Sequence, residues 1–242
     1  MDYINSMKGY QKFYQIPDSI LEKAASAENK VKDVFKKIDE IKEYNQIKVI
    51  DAFRHNRIGE IHFHGSTGYG YNDRGRDALE MLYARVFSTE DALVRQGITT
   101  GTHAIAIVLF GCLRPGDLLL SVTGKPYDTL EEVIGIRKSA ENAGSLKDFG
   151  ISYEQIELKK DGAPDYNAIR DAMSRKPKMV FIQRSKGYTR RPALSVSEIG
   201  KIVNTVKEVN KDSIVFVDNC YGEFTDILEP TEAGADVMAG SL

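Results

Sequence analysis

The sequence predicts an α/β protein with a mostly parallel sheet flanked by helices, preceded by an N-terminal helical arm. Short continuous runs of β-prone residues, such as 178–182 and 214–217, are typical of strands buried on both faces of a parallel sheet. From residue 92 onward, strand patterns alternate with helical patterns. That alternation is the order of βα units joined by right-handed crossovers.

Composition excludes several classes of protein. At 242 residues and 42% hydrophobic content, the chain can bury a full core. Its net charge of -2 without a basic block argues against nucleic acid as the main partner. No apolar run approaches the roughly 18 residues that span a bilayer, and the first residues lack a secretion-signal core, so we expect a cytoplasmic protein. Metal-type spacing is absent from the two cysteines, Cys112 and Cys220, and from the four histidines, so no metal site is predicted.

The N-terminal section reads as helical. Apolar residues recur at helical spacing over residues 17–44, and a second short helix is predicted over residues 47–56. We interpret residues 1–62 as a helical segment that packs on another subunit, and residues 63–242 as the large domain.

A glycine-rich segment follows at residues 63–76. Its interspersed Tyr71 and Arg74 suit contact with a phosphate or carboxylate, because the guanidinium offers a fork of donors. A flexible exposed loop explains the same composition equally well. An amphipathic helix is predicted next, over residues 77–87.

The stretch around residue 100 predicts an anion cradle. After a short predicted strand at 92–94, Thr100, Gly101 and Thr102 open an apolar helix that runs to about residue 110. Free N–H groups, the positive helix end and the hydroxyls together suit a phosphate, although Thr is also an ordinary N-cap. No glycine fingerprint of a dinucleotide site and no P-loop is present.

The remaining predicted elements continue the alternation. Strands are expected at 118–122, 151–158 (half-exposed), 178–182, 214–217 and 236–240, and helices at 130–137, 166–174 and 196–209.

Polar or aromatic side chains follow the predicted strands. They are Tyr127, the segment 183–185 with Arg184, Asp218 with Tyr221, and Ser241. The carboxyl ends of parallel strands meet at one edge of a sheet, so a single site is expected there. A buried acid such as Asp218 demands a cationic partner, although capping the following turn is the simpler role.

These parts suit pyridoxal 5′-phosphate. The helix start at Thr100 would hold the phosphate, and Tyr127 would stack on the ring. Asp218 would pair with the ring nitrogen, and Tyr221 would bond the phenolic oxygen. Asp218 and Tyr127 are the candidate catalytic residues, and Arg184 is a further candidate for contact with the cofactor.

The same residues carry a family resemblance. T-G-T and D-N-C-Y-G-E-F resemble the S-G-T and D-x-x-Y elements of the large domain of fold-type I pyridoxal-phosphate enzymes. The segments with a closer resemblance, to the aluminium-resistance or methionine γ-lyase-like branch of the cystathionine lyase type, are G-Y-G-Y-N-D-R-G-R-D-A-L-E, T-G-T-H-A-I, T-G-K-P-Y-D-T-L-E-E-V-I-G, Q-R-S-K-G-Y and G-A-D-V-M-A-G-S-L.

That resemblance implies a carbon–sulfur lyase performing β- or γ-elimination on a cystathionine- or methionine-type amino acid, in a homodimer or homotetramer. Tyr71 and Arg74 would reach the neighbouring subunit's phosphate site, with Tyr69 or Arg76 as alternative counterparts. Ser241 would contact the phosphate.

The lysine that holds the cofactor in this family comes shortly after a segment like G-A-D-V-M-A-G-S-L, and a smaller domain supplies the substrate-carboxylate Arg. Neither Lys125 nor Lys186 matches that lysine's position. We therefore expect this chain to be the amino-terminal part of a longer enzyme, because alone it lacks the family's lysine.

Rival hypotheses keep the same fold. One is another fold-type I reaction, namely aldol cleavage, decarboxylation or aminotransfer. A second is a binding or regulatory protein without the cofactor, and a nucleotide-binding domain is more distant.

Overall fold

The computed structural model describes residues 3–67, 71, 73–137 and 143–241. Within the chain, residues 1–46 form one compact unit and residues 47–242 a second. Helix α1 (Tyr3–Tyr14) lies in the first unit, and helix α2 (Asp18–His55) begins there.

Helix α2 corrects the prediction of two helices at 17–44 and 47–56, because one helix covers both segments. No Gly or Pro lies between the two predicted helices. The Asn45 side chain donates to the Ile41 carbonyl at 3.1 Å, which is a bond that an asparagine can make within a continuous helix. Along α2, the side chains of Val34, Phe35 and Ile38 are exposed.

The second unit contains the sheet. Its further helices are α3 (Arg74–Val86), α4 (Gly101–Cys112), α5 (Asp128–Ile134), α6 (Tyr166–Ala172) and α7 (Val196–Val209). Its strands are β1 (Leu118–Ser121), β2 (Ser152–Gln155), β3 (Met179–Gln183), β4 (Ile214–Asp218) and β5 (Val237–Ala239). Short 3₁₀ turns cover Glu60–Phe63 and Met173–Arg175.

All the pairings in the sheet are parallel, in the order β2-β1-β3-β4-β5. Both faces of the sheet are covered, which explains the continuous apolar runs. Leu120, Val180 and Val215 belong to one buried cluster, together with side chains of α6 and α7. Phe181 and Phe216 belong to another, with side chains of α4 and α5. The predicted α/β class is confirmed.

Local signals set the helix ends. In α7, Ser195 and Glu198 form a reciprocal capping box, and the helix matches the predicted range. Helix α3 begins at Arg74 rather than at the predicted residue 77, because the Asp73 carboxylate caps it by accepting the Arg76 N–H. Helix α5 ends at Ile134 instead of residue 137, because Gly135 takes a left-handed conformation (φ 91°).

The predicted strand at 92–94 is wrong. The backbone N–H of Val94 donates to the Glu80 carboxylate at 3.1 Å, and that of Ala92 donates to Asp91 at 2.8 Å. These donors are therefore directed to side chains instead of a neighbouring strand. Consequently α4 follows an irregular segment and not a strand end.

Candidate active site at the carboxyl edge of the sheet

The site is built on the ends of β3 and β4. Gln183 and Asp218 are register partners on these adjacent strands. The side chain of Asp218 is 2% exposed, and its Oδ1 accepts the backbone N–H of Cys220 at 3.1 Å. Among the residues that the structure describes, no cation forms a salt bridge with this carboxylate. Asp218 is therefore a buried acid whose charge lacks a protein counter-ion in that part of the chain.

The electrostatics of Asp218 follow from that burial. Loss of hydration raises the pKa of the carboxyl group above its ordinary value, and the nearby charge of Glu223 raises it further. Hydrogen bonds from the backbone and thiol of Cys220 oppose the increase. Burial, and after it the same carboxylate, raise the pKa of the Cys220 thiol to about 12, so the sulfur stays protonated and can donate.

The turn formed by Thr100, Gly101 and Thr102, at the start of α4, lies near Asp218. Thr100 is the N-cap of α4, and its hydroxyl accepts the N–H of His103 at 3.0 Å. A Cβ placed on Gly101 would lie 3.0 Å from the Cys220 sulfur and 3.8 Å from the Ser241 Cβ. Glycine therefore lets the first turn of α4 approach the segments after β4 and β5 closely.

Tyr127 joins the turn to the sheet. Its hydroxyl donates to Thr102 Oγ1 at 3.0 Å, and its backbone N–H donates to Gln183 Oε1 at 3.0 Å. Burial raises the pKa of the phenol, the bond to Thr102 lowers it, and the charge of Asp218 raises it. The ring is therefore fixed at both ends, near the acid.

The predicted residues Thr100, Gly101, Thr102, Tyr127, Asp218 and Ser241 are thus linked by contacts into one group. Tyr221 lies on the loop that follows β4, with 88% of its side chain exposed. Tyr71 and Arg74 are both exposed, and Tyr71 is fully so. The alternative counterpart Tyr69 lies outside the described residues.

Arg184 lies elsewhere than the prediction implied. Its side chain is buried, and the guanidinium donates to the Leu194 carbonyl, Asn219, the Gly222 carbonyl and Thr225. These partners belong to the protein, on the interior side of the loop after β4. The contacts support a structural role for Arg184 and give no support to its predicted contact with the cofactor.

Sequence reasoning gave no specific role to three residues. Cys220 was noted only for lacking metal-type spacing, yet it donates to Asp218 and packs against Gly101. Glu223 accepts the backbone N–H of Ser241 at 2.8 Å. Gln183 had no assigned role but holds Tyr127, and its register opposite Asp218 could have been inferred from the parallel strands.

The described residues show neither a metal-binding cluster nor a membrane-spanning helix. They contain no group of three or more His, Cys, Asp or Glu side chains arranged to hold a metal ion. None of the described helices combines the length and apolarity needed to cross a bilayer.

Comparison with known proteins adds to this geometry. The sequence model of the family described as Methionine gamma-lyase matches residues 20–242. The protein YnbB of Bacillus subtilis (strain 168), whose name calls it uncharacterized, is 55% identical over 219 residues, which cover 90% of this chain and 52% of YnbB. Cystathionine gamma-synthase of Escherichia coli (strain K12) is 25% identical over 179 residues, covering 74% of this chain and 41% of that protein. The chain spans about half the length of its curated relatives or less.

Solved structures show the same likeness. A carbon-sulfur lyase involved in aluminum resistance from Clostridium novyi NT is 51% identical with a TM-score of 0.91, and covers 100% of this chain and 57% of that one. A Listeria monocytogenes protein, provisionally named a cystathionine beta-lyase involved in aluminum resistance, is 54% identical with a TM-score of 0.86, covering 90% and 55%. The pyridoxal-5′-phosphate dependent protein YhfS of Escherichia coli, at 19% identity and a TM-score of 0.62, shares the fold. These likenesses confirm the predicted fold-type I architecture.

Proposed function

Because this chain belongs to the methionine gamma-lyase family, we propose that it provides the cofactor-binding part of a pyridoxal 5′-phosphate enzyme that cleaves a carbon–sulfur bond. The observation that carries the proposal is Asp218. A carboxylate that is 2% exposed, with a raised pKa and no salt bridge in the described part of the chain, is suited to an incoming cationic ring.

The residues around Asp218 fit the rest of the cofactor. Gly101 and Thr102 stand at the N-terminus of α4, where backbone N–H groups and the helix dipole favour a phosphate. The Tyr127 ring is held beside this turn by its bond to Thr102. Ser241 lies next to Gly101 and adds a hydroxyl on the same side. Acid, aromatic ring and anion cradle are thereby gathered within one set of contacts.

When bound, pyridoxal phosphate supplies an electron sink for the charge that develops at the α-carbon of an amino acid. The residues of this chain would prepare that sink. Asp218 would keep a proton on the ring nitrogen, because a buried carboxylate is stabilised by a cation that it contacts. Tyr127 would shield one face of the ring, and Tyr221 would reach the phenolic oxygen.

The substrate class is proposed to be a sulfur amino acid of the cystathionine or methionine type. The support comes from the printed names of the relatives, which include a carbon-sulfur lyase and a cystathionine gamma-synthase. The enzyme would release a thiol by β- or γ-elimination, in the cytoplasm.

A second copy of the chain is the proposed partner. Exposed apolar side chains of helix α2, such as Val34, Phe35 and Ile38, suit contact with another subunit. The exposed Tyr71 and Arg74 would contact the phosphate of the neighbouring site in a homodimer or homotetramer.

The test uses the complete protein purified with pyridoxal phosphate. A visible absorption band that borohydride removes is expected, together with release of thiol and 2-oxo acid from cystathionine or methionine. Asp218→Ala should abolish this elimination while leaving the phosphate cradle intact. Asp171→Ala, on the exposed side of α6, serves as the matched control.

Two results would contradict the proposal. Absence of any bound chromophore would remove the cofactor assignment. Full elimination activity in Asp218→Ala would show that the acid does not act on the ring. Threonine and simple amino-donor pairs, assayed in parallel, separate lyase activity from aldol cleavage and aminotransfer.

A further inference from the structure

The loop of residues 219–225, directly after Asp218, contains two residues in an unfavourable backbone conformation. Tyr221 has φ 69° and Phe224 has φ 59°, both in the left-handed region that glycine tolerates best. Such residues persist only where surrounding contacts hold them in place. The exposed side chain of Tyr221 contributes little burial of its own. Something beneath the loop must therefore hold it.

Arg184 supplies one set of contacts from the interior. Its Nη1 donates to the Gly222 carbonyl at 2.7 Å and to Asn219 Oδ1 at 2.8 Å. Its Nη2 donates to Thr225 Oγ1 at 3.1 Å. One planar fork thus contacts the beginning, middle and end of the loop. A lysine, with a single ammonium, cannot reproduce that arrangement.

Glu229 supplies the second set. This carboxylate is 0% exposed, and its Oε1 accepts the backbone N–H of the left-handed Phe224 at 3.0 Å. Its Oε2 accepts from Asn219 Nδ2 at 3.4 Å. Because Asn219 also accepts from Arg184, the amide bridges the two buried charges.

The charges of the network compensate each other. Burial lowers the pKa of Arg184, and the charge of Glu229 opposes that change. Burial raises the pKa of Glu229, which is opposed by the Phe224 N–H and by the charges of Lys48 and Arg184. Lys48 is 3.9 Å from Glu229 and lies over the Phe224 ring at 5.7 Å. Removing either Arg184 or Glu229 would leave the other charge buried with less compensation.

We propose that Arg184 and Glu229 are positioning residues that hold the 219–225 loop, and with it Tyr221, in its left-handed conformation beside Asp218. Their value for the reaction rests on the proposed function, in which Tyr221 reaches the phenolic oxygen of the cofactor. Neither side chain needs to contact the cofactor to act in this way. The role differs from direct cofactor binding by Arg184, because every contact described runs to the loop or to the Leu194 carbonyl.

Hydrogen exchange on the cofactor-free complete protein tests the inference directly. Arg184→Lys and Glu229→Gln should each raise amide exchange within the 219–225 loop by about tenfold or more, since each loses charge-assisted hydrogen bonds. Exchange in β3 and β4 should stay unchanged. Arg170→Lys and Glu208→Gln disrupt an exposed Arg–Glu pair and are the matched controls.

Pyridoxal phosphate titration is the second readout. Both network variants should bind it more weakly than the parent, whereas both control variants should not. Unchanged loop exchange in Arg184→Lys and Glu229→Gln would overturn the positioning role, as would an equal rise across the whole sheet or loss of folding in both variants. If the parent itself fails to bind the cofactor while the loop still loosens, the proposed function fails and the positioning role survives.

Discussion

Replacing Asp218 with Asn should stabilise the cofactor-free protein while abolishing its proposed chemistry. The carboxylate is 2% exposed and has no salt bridge among the described residues. An amide is nearly isosteric and still offers Oδ1 to the Cys220 N–H, which lies 3.1 Å away in the parent. The change therefore removes a buried charge and leaves the packing in place.

The sign of the pH dependence follows from the raised pKa of Asp218 in the folded state. In the unfolded chain the carboxyl group has a pKa of about 3.9. As the pH rises above that value, the unfolded state releases the proton first, so the folded state loses stability until its own pKa is passed. Stability is therefore greatest below the unfolded pKa and is lost as pH rises. The Asn side chain does not titrate. The stability advantage of the Asn variant should therefore grow as the pH rises above about 4, the unfolded pKa of Asp.

The expected size comes from two opposing effects. The effective penalty for a buried charge is several kcal/mol, and hydrogen bonds to a charged group return about 1.5–3 kcal/mol. Cys220 supplies such bonds through its backbone and thiol. A net gain on the order of 1–3 kcal/mol for Asp218→Asn at neutral pH is what remains.

Urea unfolding of the complete apoprotein at two pH values measures this difference. Asp171→Asn, at an exposed position, is the matched control and should change little at either pH. With pyridoxal phosphate present, the parent should become more stable than Asp218→Asn, because only the parent retains the anion that a cationic ring needs. An Asn variant that is less stable than the parent, or whose advantage is independent of pH, would refute the reasoning.

Two further substitutions test the contacts around the acid. Gly101→Ala should cost about 1–3 kcal/mol of stability by overpacking, because the Cys220 sulfur would lie 3.0 Å from the new Cβ. Adding Cys220→Ala to the same protein should recover most of that loss. Urea unfolding of the double-mutant cycle measures the coupling, and additive effects would contradict the close approach. Tyr127→Phe removes the hydrogen bonds of the hydroxyl with Thr102 and Thr129 but keeps the ring, so it should cost about 1 kcal/mol of stability with cofactor affinity nearly kept. Tyr127→Ala removes the ring and should weaken affinity by roughly tenfold. Equal affinities of the two Tyr127 variants, measured by absorbance titration, would argue against ring stacking.

Most of the sheet could be predicted from the sequence because its strands are buried on both faces. The run 214–217 is continuous and apolar, and β4 occupies Ile214–Asp218. The strand predicted at 92–94 failed for the converse reason. Three apolar residues do not identify a pairing partner, and the nearby Glu80 carboxylate takes the N–H of Val94.

The site was predictable as far as topology alone determines it. Parallel strands bring Gln183 and Asp218 to the same edge, and the threonine cap of α4 has a local signature. The direction of Arg184 was beyond that reasoning. Strand alternation places Arg184 on the face opposite Gln183, but its bonds to Asn219 and to the Gly222 carbonyl depend on the irregular 219–225 loop, which no periodicity describes.

Glu223 shows why the irregular segments carry information that periodicity does not. Its carboxylate accepts the Ser241 N–H at 2.8 Å and lies against Gly240, where a Cβ would force the Glu223 side chain to move. The segment after β5 is thereby tied to the loop after β4, which places Ser241 near Gly101. The negative charge of Glu223 also raises the pKa of Asp218. Ionised Asp218 is therefore more strongly stabilised by a cation at this edge of the sheet. A second, half-buried carboxylate beside Asp218 would repel its charge in a protein that binds nothing there, and its presence favours a site completed by a positively charged ring.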